Sequence, residues 1–323
     1  MPQLTSTKTI EDWASRIRGG DVRAVSRAVS AIENRAGEAE ELLRQLFPYT
    51  GRAWRIGVTG APGTGKSTLV DRLAVHYRTE RKSVGIIAVD PSSPFTGGAI
   101  LGDRIRMQRH ATDEGTFIRS MATRGYLGGL AQAAGDTALL LDAAGKEIIF
   151  IETVGVGQGE VEIVRLADCI LVVLVPGMGD DVQSLKAGLM EIGDIFVLNK
   201  SEREDAARYE QQLIAILQIV PERNGWRPPV VRTVATENQG IEDLACEIAR
   251  FRAHVAQRTD RTARELAYWK EWLMRLLETR LMERALGQPS ARKEFERAAA
   301  EVAARKKDPY AAVNEILSRE AGN

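Results

Sequence analysis

Gly60-Ala61-Pro62-Gly63-Thr64-Gly65-Lys66-Ser67-Thr68 is the stretch on which the reading of this chain turns. It fits the pattern GxxxxGK[ST]. The run Trp54-Arg55-Ile56-Gly57-Val58-Thr59 precedes it and has strand character, and Leu69, Val70, Leu73 and Ala74 follow at helical spacing. Strand, glycine-rich loop and helix in that order are the context such a motif needs. Glycines let the backbone wrap a polyphosphate with its N–H groups turned inward. The N-terminus of the following helix adds a partial positive charge. Lys66 would offset the β- and γ-phosphates, and the Ser67 hydroxyl would bind Mg²⁺.

Outward from this loop, strand-like runs alternate with helical ones. The runs lie at 55–59, 83–89, 146–152, 169–175, 195–199 and 230–234. Several are apolar on both faces, as strands covered by helices on both sides must be. The expected fold is α/β: a P-loop NTPase with a mostly parallel central sheet flanked by helices. Helical patterns frame it. Ile10, Trp13 and Ile17 share one face; Gly19-Gly20 then breaks the pattern, and Val22, Val25, Val29 and Ile32 resume it. After Gln257, the residues Leu266, Trp269, Leu273, Leu276, Leu277 and Leu281 mark another face, until Gly287-Gln288-Pro289 interrupts it. The expected divisions are an N-terminal helical extension at 1–50, the nucleotide-binding domain at 51–257 and a C-terminal helical arm at 258–323. The arm's apolar stripe must be buried somewhere, and a homodimer contact is the expectation.

Composition narrows the partners. Lys plus Arg and Asp plus Glu both total 44, so the 323-residue chain carries no formal net charge and gives no reason to propose a nucleic-acid partner. Its 44% hydrophobic content is ample for a sizeable core. Cys169 and Cys246 have no CxxC spacing and are expected as buried thiols in a reducing cytosol. His76, His110 and His254 form no ligand pattern. The N-terminus lacks the apolar core of a signal peptide. The apolar runs near 148–151 and 169–176 are too short to span a bilayer, so no membrane partner and a cytoplasmic location are expected.

A phosphate loop needs carboxylates nearby to hold Mg²⁺ and its waters. Asp90 ends one strand and Glu152 ends another, and the carboxyl ends of parallel strands line the ligand crevice. Asp103, in Gly97-Gly98-Ala99-Ile100-Leu101-Gly102-Asp103, is a third candidate. Glu152-Thr153-Val154-Gly155 stands where many GTPases carry DxxG, so the Gly155 N–H would meet the γ-phosphate and register its loss. Asn199-Lys200-Ser201-Glu202 ends a further strand and looks like the guanine-reading NKxD motif, with Glu202 where Asp is usual. In that motif the Asn buttresses the pocket, the Lys stem covers the base and the carboxylate accepts from guanine N1 and N2. Val234-Ala235-Thr236, after the last strand, sits where small residues lend backbone groups to a base.

Taken together, these motifs resemble the MeaB/ArgK-type GTPases associated with methylmalonyl-CoA mutase, related to the human cobalamin-A disease protein. The likeness rests on GAPGTGKST at 60–68, AVDPSSPFTGGAILGDRIRM at 88–107, FIETVGVGQGEVEI at 150–163 and LVPGMGDDVQSLKAGLMEIGDIFVLNK at 174–200. The resemblance implies a GTP-hydrolysing chaperone of a coenzyme-B12-dependent acyl-CoA mutase, one that gates adenosylcobalamin delivery and protects or reactivates the mutase. It also implies that Lys66, Ser67, Asp90, Asp103 and Glu152 serve phosphate and Mg²⁺, that Asp180, Gln183 and Lys186 form a partner-responsive switch, and that the chain is a homodimer. Glu202 departs from the usual motif and touches only the base-specificity expectation. Two other readings compete. A P-loop kinase phosphorylating a small molecule or protein would need its own substrate clamp. A metal-insertion GTPase would want His or Cys clusters near its N-terminus, and the sequence has none there.

Overall fold

The structure is a computed structural model, and it describes residues 7–90, 113–122, 127–153, 166–177, 187–257 and 261–320. The chain divides into two compact units, Met1–Arg261 and Thr262–Asn323.

The first unit is built on a sheet of seven strands among the described residues: β1 (Trp54–Thr59), β2 (Val84–Asp90), β3 (Thr116–Ala122), β4 (Ile148–Thr153), β5 (Cys169–Leu174), β6 (Ile195–Asn199) and β7 (Val230–Thr233). Their order is β3-β2-β4-β1-β5-β6-β7, and every pairing is parallel. The chain winds outward from β1 to one side and, after β4, to the other. β1 therefore lies at the topological switch point, where open parallel sheets bind ligands beyond the carboxyl ends of their strands.

The continuous apolar runs follow from two-sided burial. Along β5, Cys169, Leu171 and Val173 enter one core, together with Leu69, Leu73 and Tyr77 of α4 (Lys66–Thr79) and with Leu244, Ile248 and Phe251 of α8 (Ile241–Gln257). The alternate residues Ile170, Val172 and Leu174 enter the opposite core with Phe196, Leu198 and the Leu213 and Leu217 side chains of α7 (Ala206–Ile219). Each buried Leu, Ile or Phe contributes about 1.5–3 kcal/mol relative to exposure, so the sheet is held from both faces. Cys169 is buried as expected, whereas Cys246 is exposed on the solvent side of α8, which corrects the reading of both thiols as buried.

Strand β3 and the helix α5 (Leu127–Ala143) were absent from the sequence pattern. β3 is an edge strand in which Phe117 and Met121 are buried, but polar Thr116, Arg119 and Ser120 interrupt the apolar run. The N-terminal helices α1 (Thr7–Arg18), α2 (Val22–Glu33) and α3 (Gly37–Leu46) lie in the same compact unit as the sheet, and α2 and α3 pack on α5. Ile10, Trp13, Ile17, Val25, Val29 and Ile32 are buried, and Val22 at the start of α2 is exposed. Asp21 caps α2 by accepting from the Arg23 and Ala24 N–H groups at 2.9 and 3.1 Å. Arg119 of β3 pairs with Glu33 of α2. Asp142, near the end of α5, accepts from the Gly51, Arg52 and Ala53 N–H groups at 2.6, 3.2 and 3.0 Å and so fixes the chain as it enters β1.

The second unit comprises α9 (Arg261–Leu286, beginning one residue before it), α10 (Pro289–Ala303) and α11 (Pro309–Glu320). Gly287 and Gln288 separate α9 from α10, and Pro289 opens α10, so the helical pattern breaks where the sequence indicated. Along α9, Leu266, Leu273, Leu277 and Leu281 are each more than half exposed, while Trp272 is buried. No helix among the described residues is long and apolar enough to cross a membrane.

Candidate nucleotide-binding site

The loop between β1 and α4 turns through glycines. Gly60 has φ 143°, Gly63 79° and Gly65 91°, values at which a side chain is strained. Two of these positions also lack room. A Cβ on Gly60 would stand 2.1 Å from the Val173 carbonyl oxygen, and one on Gly65 2.4 Å from Asn199 Nδ2. The loop thus presses against β5 on one side and the end of β6 on the other. Ala61, Pro62 and Gly63 are exposed at its crest. Thr64 is buried, and its hydroxyl donates to the Ala61 carbonyl at 2.9 Å.

Lys66 opens α4 and is buried, with its ammonium folded under the loop. It donates to the carbonyls of Gly60 at 2.7 Å and Ala61 at 3.0 Å. Ser67 and Thr68 follow in the first helical turn, and the Ser67 hydroxyl donates to Glu152 Oε1 at 2.5 Å. Glu152 is buried near the end of β4, where its register beside Val58 of β1 brings it to the loop. Ser67 and Glu152 offer hard oxygen donors, which fit a cation such as Mg²⁺. No group of three His, Cys, Asp or Glu side chains gathers among the described residues. Asp90 is the last residue of β2, at the same carboxyl edge of the sheet, in register with Ala122. Its side chain is outside the described part. Asp103, Gly155, Asp180, Gln183 and Lys186 also lie outside the described residues.

The other half of the site forms at the ends of β6 and β7. Asn199 is 2% exposed and uses both ends of its amide. Nδ2 donates to the Thr64 carbonyl at 2.8 Å, while Oδ1 accepts from the Thr233 hydroxyl and the Ala235 N–H, each at 3.1 Å. One side chain therefore ties the phosphate loop to the segment after β7. The pairing of Asn199 with Thr233 across β6 and β7 puts the hydroxyl within reach. Lys200 takes φ 55°, and its ammonium donates to the Gly63 carbonyl at 2.9 Å, so its stem runs from the β6 loop to the phosphate loop. The Ser201 N–H donates to the Thr233 carbonyl at 3.1 Å, and Glu202 follows, exposed. Val234 and Ala235 are buried and Thr236 is exposed, with a short 3-10 turn at Ala235–Glu237.

Three participants escaped the sequence reading. Thr233 could have been noticed from its position before Val234-Ala235. Arg203, which donates to the Pro176 carbonyl at 2.8 Å, and Arg72, which donates to the Ala235 and Thr236 carbonyls, act across long sequence separations and leave no local signal.

The family described as methylmalonyl-CoA mutase-associated GTPase MeaB matches residues 25–290. A putative GTPase of Pyrococcus abyssi is 48% identical over 316 residues, 97% of each chain. The mouse protein named methylmalonic aciduria type A homolog, mitochondrial, is 32% identical over 260 residues, which cover 79% of this chain and 62% of its own. Among solved structures, one titled LAO/AO transport system kinase superposes with a TM-score of 0.75 at 26% identity, covering 98% of this chain and 99% of that one.

Proposed function

We propose that this chain, which belongs to the MeaB family of methylmalonyl-CoA mutase-associated GTPases, is a guanine-nucleotide-driven chaperone of a coenzyme-B12-dependent acyl-CoA mutase. The chain is a P-loop GTPase. The finer reading is that its nucleotide state gates adenosylcobalamin delivery and protects or reactivates the mutase in the cytoplasm.

The observation that carries the nucleotide half is the double tie made by Asn199, to Thr64 on the phosphate loop and to Thr233 and Ala235 after β7. It ties the phosphate loop to the segment after β7, which supports reading the two as the phosphate and base sides of one site. In the proposed complex the Gly60–Thr68 backbone cradles the phosphates. The Lys66 ammonium exchanges the Gly60 and Ala61 carbonyls for phosphate oxygens. The Lys200 stem covers the base, Glu202 accepts from guanine N1 and N2, and the 234–236 segment faces the 6-oxo group. Mg²⁺, when bound, would offset charge on the β- and γ-phosphates. Ser67 would hold it directly, with Glu152, Asp90 and Asp103 ordering its waters. Hydrolysis adds water to the γ-phosphorus and breaks the bond to the β–γ bridging oxygen, giving GDP and phosphate. Gly155 would register the loss of the γ-phosphate.

Asp180, Gln183 and Lys186 are the proposed partner-responsive switch, and the exposed leucine stripe of α9 the proposed homodimer contact. The test is phosphate release with and without each acyl-CoA mutase from the same source. A mutase should raise the rate, and Gln183→Ala and Lys186→Ala should abolish the rise while basal turnover stays near wild type. Equal turnover of ATP and GTP, or no response to any mutase, would overturn the proposal.

A further inference from the structure

Arg72 lies on the solvent-side rim of α4, six residues beyond the lysine that opens the helix. Its Nε donates to the Ala235 carbonyl at 3.1 Å and its Nη2 to the Thr236 carbonyl at 3.2 Å. These are consecutive carbonyls of the 3-10 turn Ala235–Glu237. A planar guanidinium fixes the direction of two peptide groups at once, which a single ammonium does not. Because C=O and N–H are antiparallel across a trans peptide, gripping the Ala235 carbonyl also sets the direction of the Thr236 N–H.

The remaining bonds of the turn show how its position is determined. At its start, the Ala235 N–H meets Asn199 Oδ1 at 3.1 Å. Beyond it, Asn238 and Gly240 take φ 60° and 69°. A Cβ on Gly240 would stand 2.0 Å from the Arg232 carbonyl oxygen, so the chain returns tightly against β7. Both ends of the turn are thus held by its own sheet. Ala235 also packs in the core that Leu69 and Leu73 enter, and Arg72 supplies the hydrogen bonds that register the turn against the helix carrying Lys66 and Ser67.

We propose that Arg72 is a positioning residue for base selection: it fixes the 234–236 segment against the phosphate-loop helix and thereby sets how strictly the 6-oxo group of the purine is recognised. The inference rests on the assignment of that segment to the base under the proposed function. Guanine offers two handles to two different loops, the 6-oxo acceptor to 234–236 and the N1–H and 2-amino donors to Glu202. Among the described residues, the hydrogen bonds of Arg72 go to the first loop. Its loss should therefore damage one discrimination and spare the other, whereas a general loosening of the fold would weaken all nucleotides together.

Titration of the full chain with GDP, 6-thio-GDP and IDP separates these outcomes. The thio analogue weakens the acceptor at position 6 and keeps both donors; IDP keeps the 6-oxo group and lacks the 2-amino group. Wild type should prefer GDP over 6-thio-GDP by about five-fold, the worth of one ordinary hydrogen bond. Arg72→Ala should bring that ratio close to one while leaving the GDP to IDP ratio unchanged, and Arg72→Lys, a milder change, should give an intermediate ratio. If Arg72→Ala and Arg72→Lys both keep the wild-type GDP to 6-thio-GDP ratio, or if both ratios fall together, the role of Arg72 is refuted and the base assignment stands. If wild type itself binds all three alike, the base assignment fails and takes this inference with it.

Discussion

Replacing Asn199 by alanine is the sharpest test of the geometry. The side chain is buried and makes three hydrogen bonds: to the Thr64 carbonyl at 2.8 Å and from the Thr233 hydroxyl and Ala235 N–H at 3.1 Å each. An ordinary internal hydrogen bond contributes about 1 kcal/mol net, and a buried partner left unpaired costs about 1–3 kcal/mol. The Thr233 hydroxyl can rotate to another acceptor, but the Thr64 carbonyl and the Ala235 N–H cannot turn without moving their loops. Asn199→Ala should therefore cost about 3 kcal/mol in urea unfolding of the nucleotide-free first unit. It should also weaken GDP binding by about 10²-fold, because 1.4 kcal/mol is a factor of ten and both loops must be realigned. Asn199→Asp is the control. It keeps an oxygen for Thr233 and Ala235 but sets a second oxygen against the Thr64 carbonyl. It should be no better tolerated than alanine at pH 7. An alanine variant within about 0.5 kcal/mol of wild type, below the worth of even one such bond, would refute the reasoning.

Two further outcomes follow from other parts of the chain. Asp113 accepts from Arg78 at 2.7 and 2.9 Å, from the Thr116 hydroxyl at 2.8 Å and from the Gly115 N–H at 3.0 Å, and Arg78 above all holds its carboxyl well below the usual range. A depressed carboxyl stabilises the fold above its unfolded pKa of about 4 and loses that contribution as pH falls toward the folded value; the Tm gap between wild type and Asp113→Asn should be widest near neutral pH and shrink below about pH 4, and an equal gap at pH 3 and pH 7 would contradict it. Light scattering at micromolar concentration should give a dimer for the full chain and a monomer for a chain ending at Gln257, since the stripe Leu266, Leu273, Leu277 and Leu281 is exposed on α9; a dimeric truncated chain would remove the arm from the interface.

What could be read from the sequence divides along a physical line. The phosphate loop is a local object: its glycines, lysine and serine are adjacent, and the flanking strand and helix announce themselves by period. The strands buried on both faces were visible because two-sided burial calls for apolar runs, as in β5 and in β6 up to Asn199. β3 was missed because an edge strand is relieved of that demand, and its Arg119 instead answers Glu33, 86 residues away. The same distance effect hid Arg72, whose partners lie 163 and 164 residues on. The Asn199-Lys200 pair was legible as a motif, but its bond to Thr64 depends on β1 and β6 flanking β5, which only the strand order reveals. Cys246 shows the reverse error: its residue type favours burial, and its place on α8 overrides that.

Under the proposed function, the distribution of these contacts bears on where a partner would act. On the base side, Asn199, Lys200, Ser201 and Arg72 together join three loops to the helix after the phosphate loop. A frame tied together in this way needs little ordering on binding, which favours affinity. Affinity built this way is shared equally by substrate and transition state, and it lowers KM without raising kcat. Rate must come from groups whose interaction strengthens as charge moves onto the leaving oxygen. On the phosphate side, Lys66 donates to the loop carbonyls and Ser67 to Glu152. Under the proposed function, a partner that repositions groups on the phosphate side as charge moves would raise kcat, and that is the physical basis for expecting mutase-dependent stimulation.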